Sequence, residues 1–424
     1  MVVIQAFDFS RWPIAVSDLP PNTYLVGGAV RDALLGRATL YPDLDFIVSR
    51  DALPLAATLA QRYGAGFVVL DRERQIVRLV FANATVDIAQ QRGETLLTDL
   101  GDRDFRLNAI AYDIHHQHLV DPLGGLLDLQ QRQIHYVAVE NLAADPLRLL
   151  RAYRQAAQLQ FTITPETRHA LQALAPRLQA VAPERVRVEL SYLLSAVESA
   201  ANITLAFRDG VLGVWLPSVT EERITHYHAL ETTLANFPFP ALWPSLTTSI
   251  ATTAAPGEPQ RRTLAALAKL TCLVHHDEQR AGEELTALTY TGDEIKAVQA
   301  LCRLLQDWLM PLGHPLSREQ SFYLFRAAKD YFPAFVALAL SRNIPKAHLV
   351  PLVRAWLDPE DTVAHPPQLL RGADLVQQFQ LRPGPAIGQI LRAVEAAQAR
   401  GEVSDHPGAL AFVDQLLRQS TPQP

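Results

Sequence analysis

Between residues 20 and 140 the chain alternates short apolar, β-branched runs with polar, glycine-punctuated stretches. Tyr24–Val26, Asp45–Val48, Phe67–Leu70, Ile76–Phe81 and Thr85–Ile88 are predicted strands. Two glycines follow the first of them and open a helix through Arg31 to Leu35. This pattern predicts a small mixed sheet flanked by helices. From Asp145 onward leucine, alanine, glutamine and arginine recur at helical spacing, which predicts an all-helical remainder in three successive subdomains. Pro217, the Pro238–Pro244 stretch and Thr252–Gly257 mark loops between helices. Near the end, Arg382–Gly388 reads as a loop opening a helix with Pro385 in its first turn. The expected division is a head over 1–140, then helical segments over 141–197, 198–310 and 311–424.

Composition narrows the function classes. The 424 residues are 49% hydrophobic and 19% charged, ordinary for a globular chain, with a formal net charge of −6. A globally basic nucleic-acid binder is excluded, so any RNA surface must be a local basic stripe. Cys272 and Cys302 show no metal-ligand spacing and read as reduced core thiols, as do the five tryptophans as core side chains. No basic-then-apolar leader opens the sequence and no apolar run is long enough to span a bilayer, so a cytoplasmic protein is expected.

Candidate chemistry begins at Gly27-Gly28-Ala29-Val30-Arg31-Asp32, between a strand and a helix. Paired glycines let backbone approach a phosphate, the helix start offers free N–H groups, and Arg31 can clamp an anion. A plain tight connection would look the same. Asp43-Leu44-Asp45 then leads into a strand, where residues two apart share a face. Two acids so placed repel unless a cation lies between them, and magnesium suits an all-oxygen site completed by phosphates. The alternative is a solvated turn. Asp87, on a later strand, supplies either a third carboxylate or a cap.

Leu25–Gly36 followed by Asp43-Leu44-Asp45 resembles the class II (bacterial-type) tRNA nucleotidyltransferase and poly(A) polymerase family. Further motifs follow in order: Asp99–Ala109, Asp121–Gly125 with Asp128-Leu129, Asp145–Arg151 with Arg154, and Pro183–Val186 with Glu189-Leu190. Arg371–Leu375 and Pro383-Gly384-Pro385 resemble the C-terminal domain of longer members. The resemblance implies an α+β nucleotidyltransferase head with a polymerase-β-like palm, followed by an all-α neck, body and tail. It implies Mg²⁺ on Asp43 and Asp45, catalysis by these acids with Asp87, and tRNA and CTP, with ATP as the alternative or additional nucleotide, as substrates. Nucleotide contacts are implied for Gly27, Gly28, Arg31, Arg103, Asn108, Asp145, Arg148, Arg151 and Arg154.

The fourth motif makes chemical sense by itself. Asp145, Arg148, Arg151 and Arg154 recur every third residue, predicting one slowly drifting helix stripe. A carboxylate accepts from the amino group of cytosine or adenine, and a guanidinium donates to the ring nitrogen and cytosine carbonyl. Uracil and guanine present the reverse pattern and are repelled. Arg151 and Arg154 are then expected on triphosphate or primer phosphates. A solvated charged face is the plain alternative.

Two motif positions depart from the family pattern: Asp102 stands where an arginine is usual, and Ala144 where a glutamate is usual. A third departure is larger. Gln90–Thr98 joins the Asp87 strand to the second motif almost directly, where enzymes that add a complete CCA carry a flexible loop. The expectation is therefore a CC-adding enzyme that works with a separate A-adding one. Full CCA addition, poly(A) synthesis and non-catalytic RNA binding are the rivals. His275-His276-Asp277 is read as a polar helix end rather than a metal site, and His115, His116 and His118 as a solvated hairpin. Arg371, Arg382, Arg392 and Arg400 are candidates for tRNA phosphates.

Overall fold

A computed structural model describes residues 7–37, 43–248 and 263–420, and the chain divides into two compact units. The first runs to Val219. It opens with β1 (Tyr24–Val26), α1 (Gly28–Leu34), β2 (Asp43–Val48), α2 (Ala52–Tyr63), β3 (Gly66–Asp71), β4 (Ile76–Val80) and β5 (Thr85–Gln90). Next come α3 (Leu96–Gly101), β6 (Ala111–Asp113) and β7 (His118–Val120). Seven strands form one mixed sheet in the order β3-β4-β5-β2-β1-β6-β7, which makes β2 the central strand. It pairs parallel with β5 and antiparallel with β1. All five strand runs predicted from the sequence are present.

Alternation along β2 decides where chemistry can sit. Leu44, Phe46 and Val48 are buried on one face, where Trp12 meets Phe46 edge-on at 5.3 Å. Asp43, Asp45 and Ile47 take the opposite face. The β1–α1 connection needs Gly27 at φ +73°, a left-handed conformation costly for any residue with a Cβ. One corner of the sheet ends in a hairpin, where the Asp113 carboxylate accepts the backbone N–H groups of His115 and His116.

Helices then take over: α4 (Gly125–Gln131), β8 (Gln133–Ile134), α5 (Val139–Ala144), α6 (Leu147–Leu159) and β9 (Thr162–Ile163). They continue as α7 (Pro165–Leu174), α8 (Pro183–Ser195) and α9 (Ala200–Arg208). The two-residue β8 and β9 pair in parallel, a small exception to the all-helical expectation. Amphipathic α6 buries Leu149, Leu150, Tyr153 and Ala156 and packs against α8 and α9. Tyr153 is wholly buried, its hydroxyl donating to Asp209 at 2.9 Å.

The second unit (220–248 and 263–420) is helical throughout among its described residues, from Glu221–Ala235 to His406–Ser420. The helix Phe332–Ser341 is apolar nearly all round and lies within the unit's core. A separate small cluster near the end centres on Leu375, Ile390, Val394 and Val413. Helix Pro385–Arg400 starts at the expected proline, after Gly384. The predicted Pro238–Pro244 loop instead holds a 3-10 turn, Pro240–Leu242, and enters the short helix Trp243–Thr247, because proline fits a first helical turn. Thr252–Gly257 lies outside the described residues. The tryptophans also correct the expectation: Trp243 is 40% exposed and the other four are half-buried. Cys272 and Cys302 are buried free thiols, and burial pushes Cys302 up to about 12. Asp277 caps the helix Glu278–Ala287, as a polar helix end should. Among the described residues no helix is long and apolar enough to cross a membrane.

Candidate active site

The sheet face carrying Asp43 and Asp45 is built by three adjacent strands. In register, Asp45 lies beside Asp87 of β5, and Asp87 beside Arg78 of β4. The Thr85 hydroxyl donates to Asp43. Both oxygens of Asp87 accept from the Arg78 guanidinium at 2.8 Å, so this carboxylate is already neutralised. Asp45 has no such partner. Burial, then the charges of Asp87 and Asp43, push its carboxyl up to about 7, although Arg103 and Arg78 pull the other way.

Gly27 gives this corner its closeness. A Cβ there would stand 3.0 Å from Asp45 Oδ2 and 3.4 Å from Arg103 Nη1. Arg103 thus touches the acidic corner, and it also lines a cavity of about 320 Å³ with Ile47, Gln90, Asp145, Arg148 and Arg151. Its Nε is buried without a hydrogen-bond partner among the described residues, and its Nη2 stands 3.6 Å from Asp99. Arg103 therefore joins the paired acids to the arginine-bearing helix on one side of the sheet.

The stripe predicted for the fourth motif is broken at its start. Asp145 is not on α6 but in the extended step between α5 and α6, because Pro146 disfavours a helical residue before it. Its carboxylate is paired with Arg185 of α8 at 2.9 Å. Arg148, the second residue of α6, donates from Nη1 to the Asp102 carbonyl at 2.8 Å. Arg151 pairs with Asp104 at 2.9 Å and with Glu189 at 3.4 Å, while Arg154 meets the other Glu189 oxygen at 2.5 Å. Burial alone would raise Asp104, but Arg151 and Asn108 hold it well below the usual carboxylate range.

Arg31 and Asn108 are not among the residues that line this pocket. Arg31 makes a two-pronged contact with its neighbour Asp32, at 2.9 and 3.0 Å, and donates to Asn108 Oδ1 at 2.9 Å. Asn108 is buried and donates to Asp104 and to Gln155 of α6. The structure thus brings Asp45, Asp87, Arg103, Asp145, Arg148 and Arg151 around one face. It leaves Arg31 and Asn108 in the network that holds α6 onto the head, and Arg154 in the contact between α6 and α8. Sequence reasoning missed Arg78, Arg92 and Arg185. Arg78 was findable: counting outward from the turn between β4 and β5 puts it opposite Asp87.

A mixed sheet with two acids on its middle strand, beside a Gly-Gly turn and an arginine-lined pocket, defines a nucleotidyltransferase-type head. Comparison with known proteins agrees. The profile of the Poly A polymerase head domain matches residues 23–135, that of the probable RNA and SrmB-binding site of polymerase A matches 160–223, and that of tRNA nucleotidyltransferase domain 2 matches 260–413. The CC-adding tRNA nucleotidyltransferase of Synechocystis sp. is 41% identical over 95% of this chain and 96% of its own. The A-adding tRNA nucleotidyltransferase of Deinococcus radiodurans is 32% identical over 97% and 99%. In fold, the chain is similar to the Bacillus stearothermophilus CCA-adding enzyme solved with CTP, at TM-score 0.68 and 22% identity, covering 94% of this chain and 93% of that one. The chain belongs to the tRNA nucleotidyltransferase and poly(A) polymerase family.

Proposed function

We propose that this protein transfers two cytidylates from CTP to the 3′ end of tRNA and stops there, leaving the terminal adenylate to a separate enzyme. The observation that carries this is the connection between β5 and α3, which spans only residues 91–95 along the edge of the pocket. A connection this short has no slack to reshape the pocket from a pyrimidine to a purine. The 41% identity to a CC-adding enzyme supports the same assignment.

The reaction joins the 3′-hydroxyl oxygen to the α-phosphorus, releases the hydroxyl proton and breaks the bond to pyrophosphate. Asp145 accepts from the cytosine amino group and Arg148 donates to the ring nitrogen and carbonyl, so uracil, with its inverted pattern, is refused. For this the Asp145–Arg185 pair must give way or share its carboxylate. Arg103, whose Nη1 reaches the Gly27 corner beside Asp45, binds triphosphate oxygens. Arg151 is largely occupied by Asp104 and Glu189, so it orders the pocket wall and adds positive potential.

The chemistry of the acids fits a hard divalent cation: all donors are oxygens, and burial together with the charges of Asp87 and Asp43 holds Asp45 at an abnormally high proton affinity. Among the described residues no three such groups form a closed metal cage, so nucleotide and water would complete the coordination. Asp43 and Asp45 would hold two magnesium ions, which supply charge neutralisation for the triphosphate and an acidified hydroxyl. Asp87 lies beside Asp45 on the neighbouring strand, in its ion pair with Arg78.

We further read the chain as a head to residue 140, a neck over 141–197, a body over 198–310 and a tail over 311–424, acting in the cytoplasm. The tail arginines Arg371, Arg382 and Arg392 suit backbone phosphates, whereas Arg400 is taken up by Glu402.

One assay decides the activity. Purified protein with tRNA lacking its last three nucleotides is given CTP, ATP or both, with magnesium and in parallel with chelator. Two cytidylates, none with chelator and no following adenylate are expected; a terminal adenylate points to a CCA-adding enzyme, and long adenylate tracts to a poly(A) polymerase. A second expectation concerns Gly27. Gly27→Ala forces a Cβ against Asp45 at a positive φ, and misplacing a reacting group costs on the order of a hundredfold. Turnover should fall by about that factor while the fold loses only about 1–2 kcal/mol, as single-turnover kinetics and thermal melts would show.

A further inference from the structure

We propose that Arg92 and Asp102 form a clasp that fixes the base-selecting arginine, Arg148, and thereby sets the preference for cytosine over adenine; this rests on the nucleotide-adding function argued above. The connection after β5 is stitched down at successive points. Gln91 N–H donates to the Val48 carbonyl at 2.8 Å, and Arg92 N–H to Asp99 Oδ2 at 2.9 Å. The Arg92 guanidinium reaches Asp102 Oδ2 at 3.1 Å. Gly93 turns at φ +66° so tightly against Thr98 that a Cβ there would lie 2.6 Å from the threonine methyl. Thr95 caps the start of α3 through Thr98 N–H.

The other end of the clasp is the functional one. Asp102 ends α3, and its backbone carbonyl is the 2.8 Å acceptor for Arg148. The neighbouring carbonyls are held as well, since the Asn141 amide donates to Gly101 O at 2.7 Å and Arg103 O at 2.8 Å. Three consecutive carbonyls, of residues 101, 102 and 103, are thus pinned by Asn141 and Arg148. The side chain of Asp102 ties that same segment to the connection. A shift of this segment would move the Asp102 carbonyl and the guanidinium resting on it. Arg92, Asp102 and Asn141 act through Arg148, as positioning residues.

The ion pair is exposed, with side chains 39% and 49% accessible, so its contribution to stability is small. Its contribution is geometric. That separates the proposal from a merely structural role.

The test uses the full chain and compares kcat/KM for CTP and ATP on trimmed tRNA. Arg92→Ala and Asp102→Ala are expected to raise the ATP:CTP ratio about threefold each, with melting temperature within error of the parent. The charge-exchanged double variant, Arg92→Asp with Asp102→Arg, should bring the ratio back toward the parental value. An unchanged ratio in both single variants overturns the clasp, as does an equal loss with both nucleotides. So does a raised ratio that the exchange leaves uncorrected. A parent protein that incorporates no nucleotide at all would instead refute the proposed function itself.

Discussion

Asp45→Asn is expected to abolish cytidylate transfer, by roughly a thousandfold, while leaving the metal-free fold as stable as the parent or more so. The activity loss follows because the cation site supplies several kcal/mol of charge stabilisation to the transferring phosphate, each 1.4 kcal/mol being about tenfold in rate. The stability gain has a separate cause. Burial and the charges of Asp87 and Asp43 push Asp45 up to about 7 from an ordinary 3.8. The folded chain therefore holds a proton that the unfolded chain releases between about pH 4 and pH 7. Raising pH through that window favours the unfolded state, so this carboxyl lowers stability at and above neutrality. Asparagine removes the ionisation and the penalty with it. Thermal melts in chelator from pH 5 to 8 should show the parent losing stability relative to the variant as pH rises. A variant that melts lower at pH 8, or that still polymerises, contradicts the assignment.

Glu189→Ala should be the most damaging single change to the head-proximal helices. Glu189 is 6% exposed and accepts from both Arg154 and Arg151. Removing it leaves Arg154 with Gln158 and a Tyr192 ring 5.5 Å from its guanidinium carbon. Burial already lowers the proton affinity of Arg154. Breaking a buried pair by deleting one partner costs about 3 kcal/mol or more. For a unit of this size that corresponds to a melting shift of roughly 10 °C. Glu189→Gln keeps the shape but only one of the two acceptor oxygens and none of the charge, so it should recover less than half. A shift under about 2 °C for alanine would show that water satisfies these guanidiniums.

Much of this architecture can be read before any coordinates. The strands, the Gly-Gly turn and the same-face acids follow from local patterning, because a two-residue period and a positive-φ position depend on neighbours alone. The break at Asp145 was legible too, since Pro146 announces it. The fate of the charged side chains was not. Arg31 is occupied by Asn108 and Gln155, 77 and 124 residues away, and Arg151 by Asp104 and Glu189. Such long-range pairings decide which arginines remain for substrate, and no spacing rule contains them. The family resemblance located the motifs, but it did not distinguish Arg103, whose ion pair with Asp99 is a loose 3.6 Å contact, from Arg154, which is held by Glu189 at 2.5 Å.

The acids sit on β2, with three strands on either side. Sheets fray from their margins, and local openings reach a middle strand only when the whole ladder gives way. The spacing of Asp43 and Asp45 is therefore insulated from the fluctuations that expose β3 or β7. Sequence change at those borders can drift freely without detuning the reaction, whereas a single altered residue on β2 cannot.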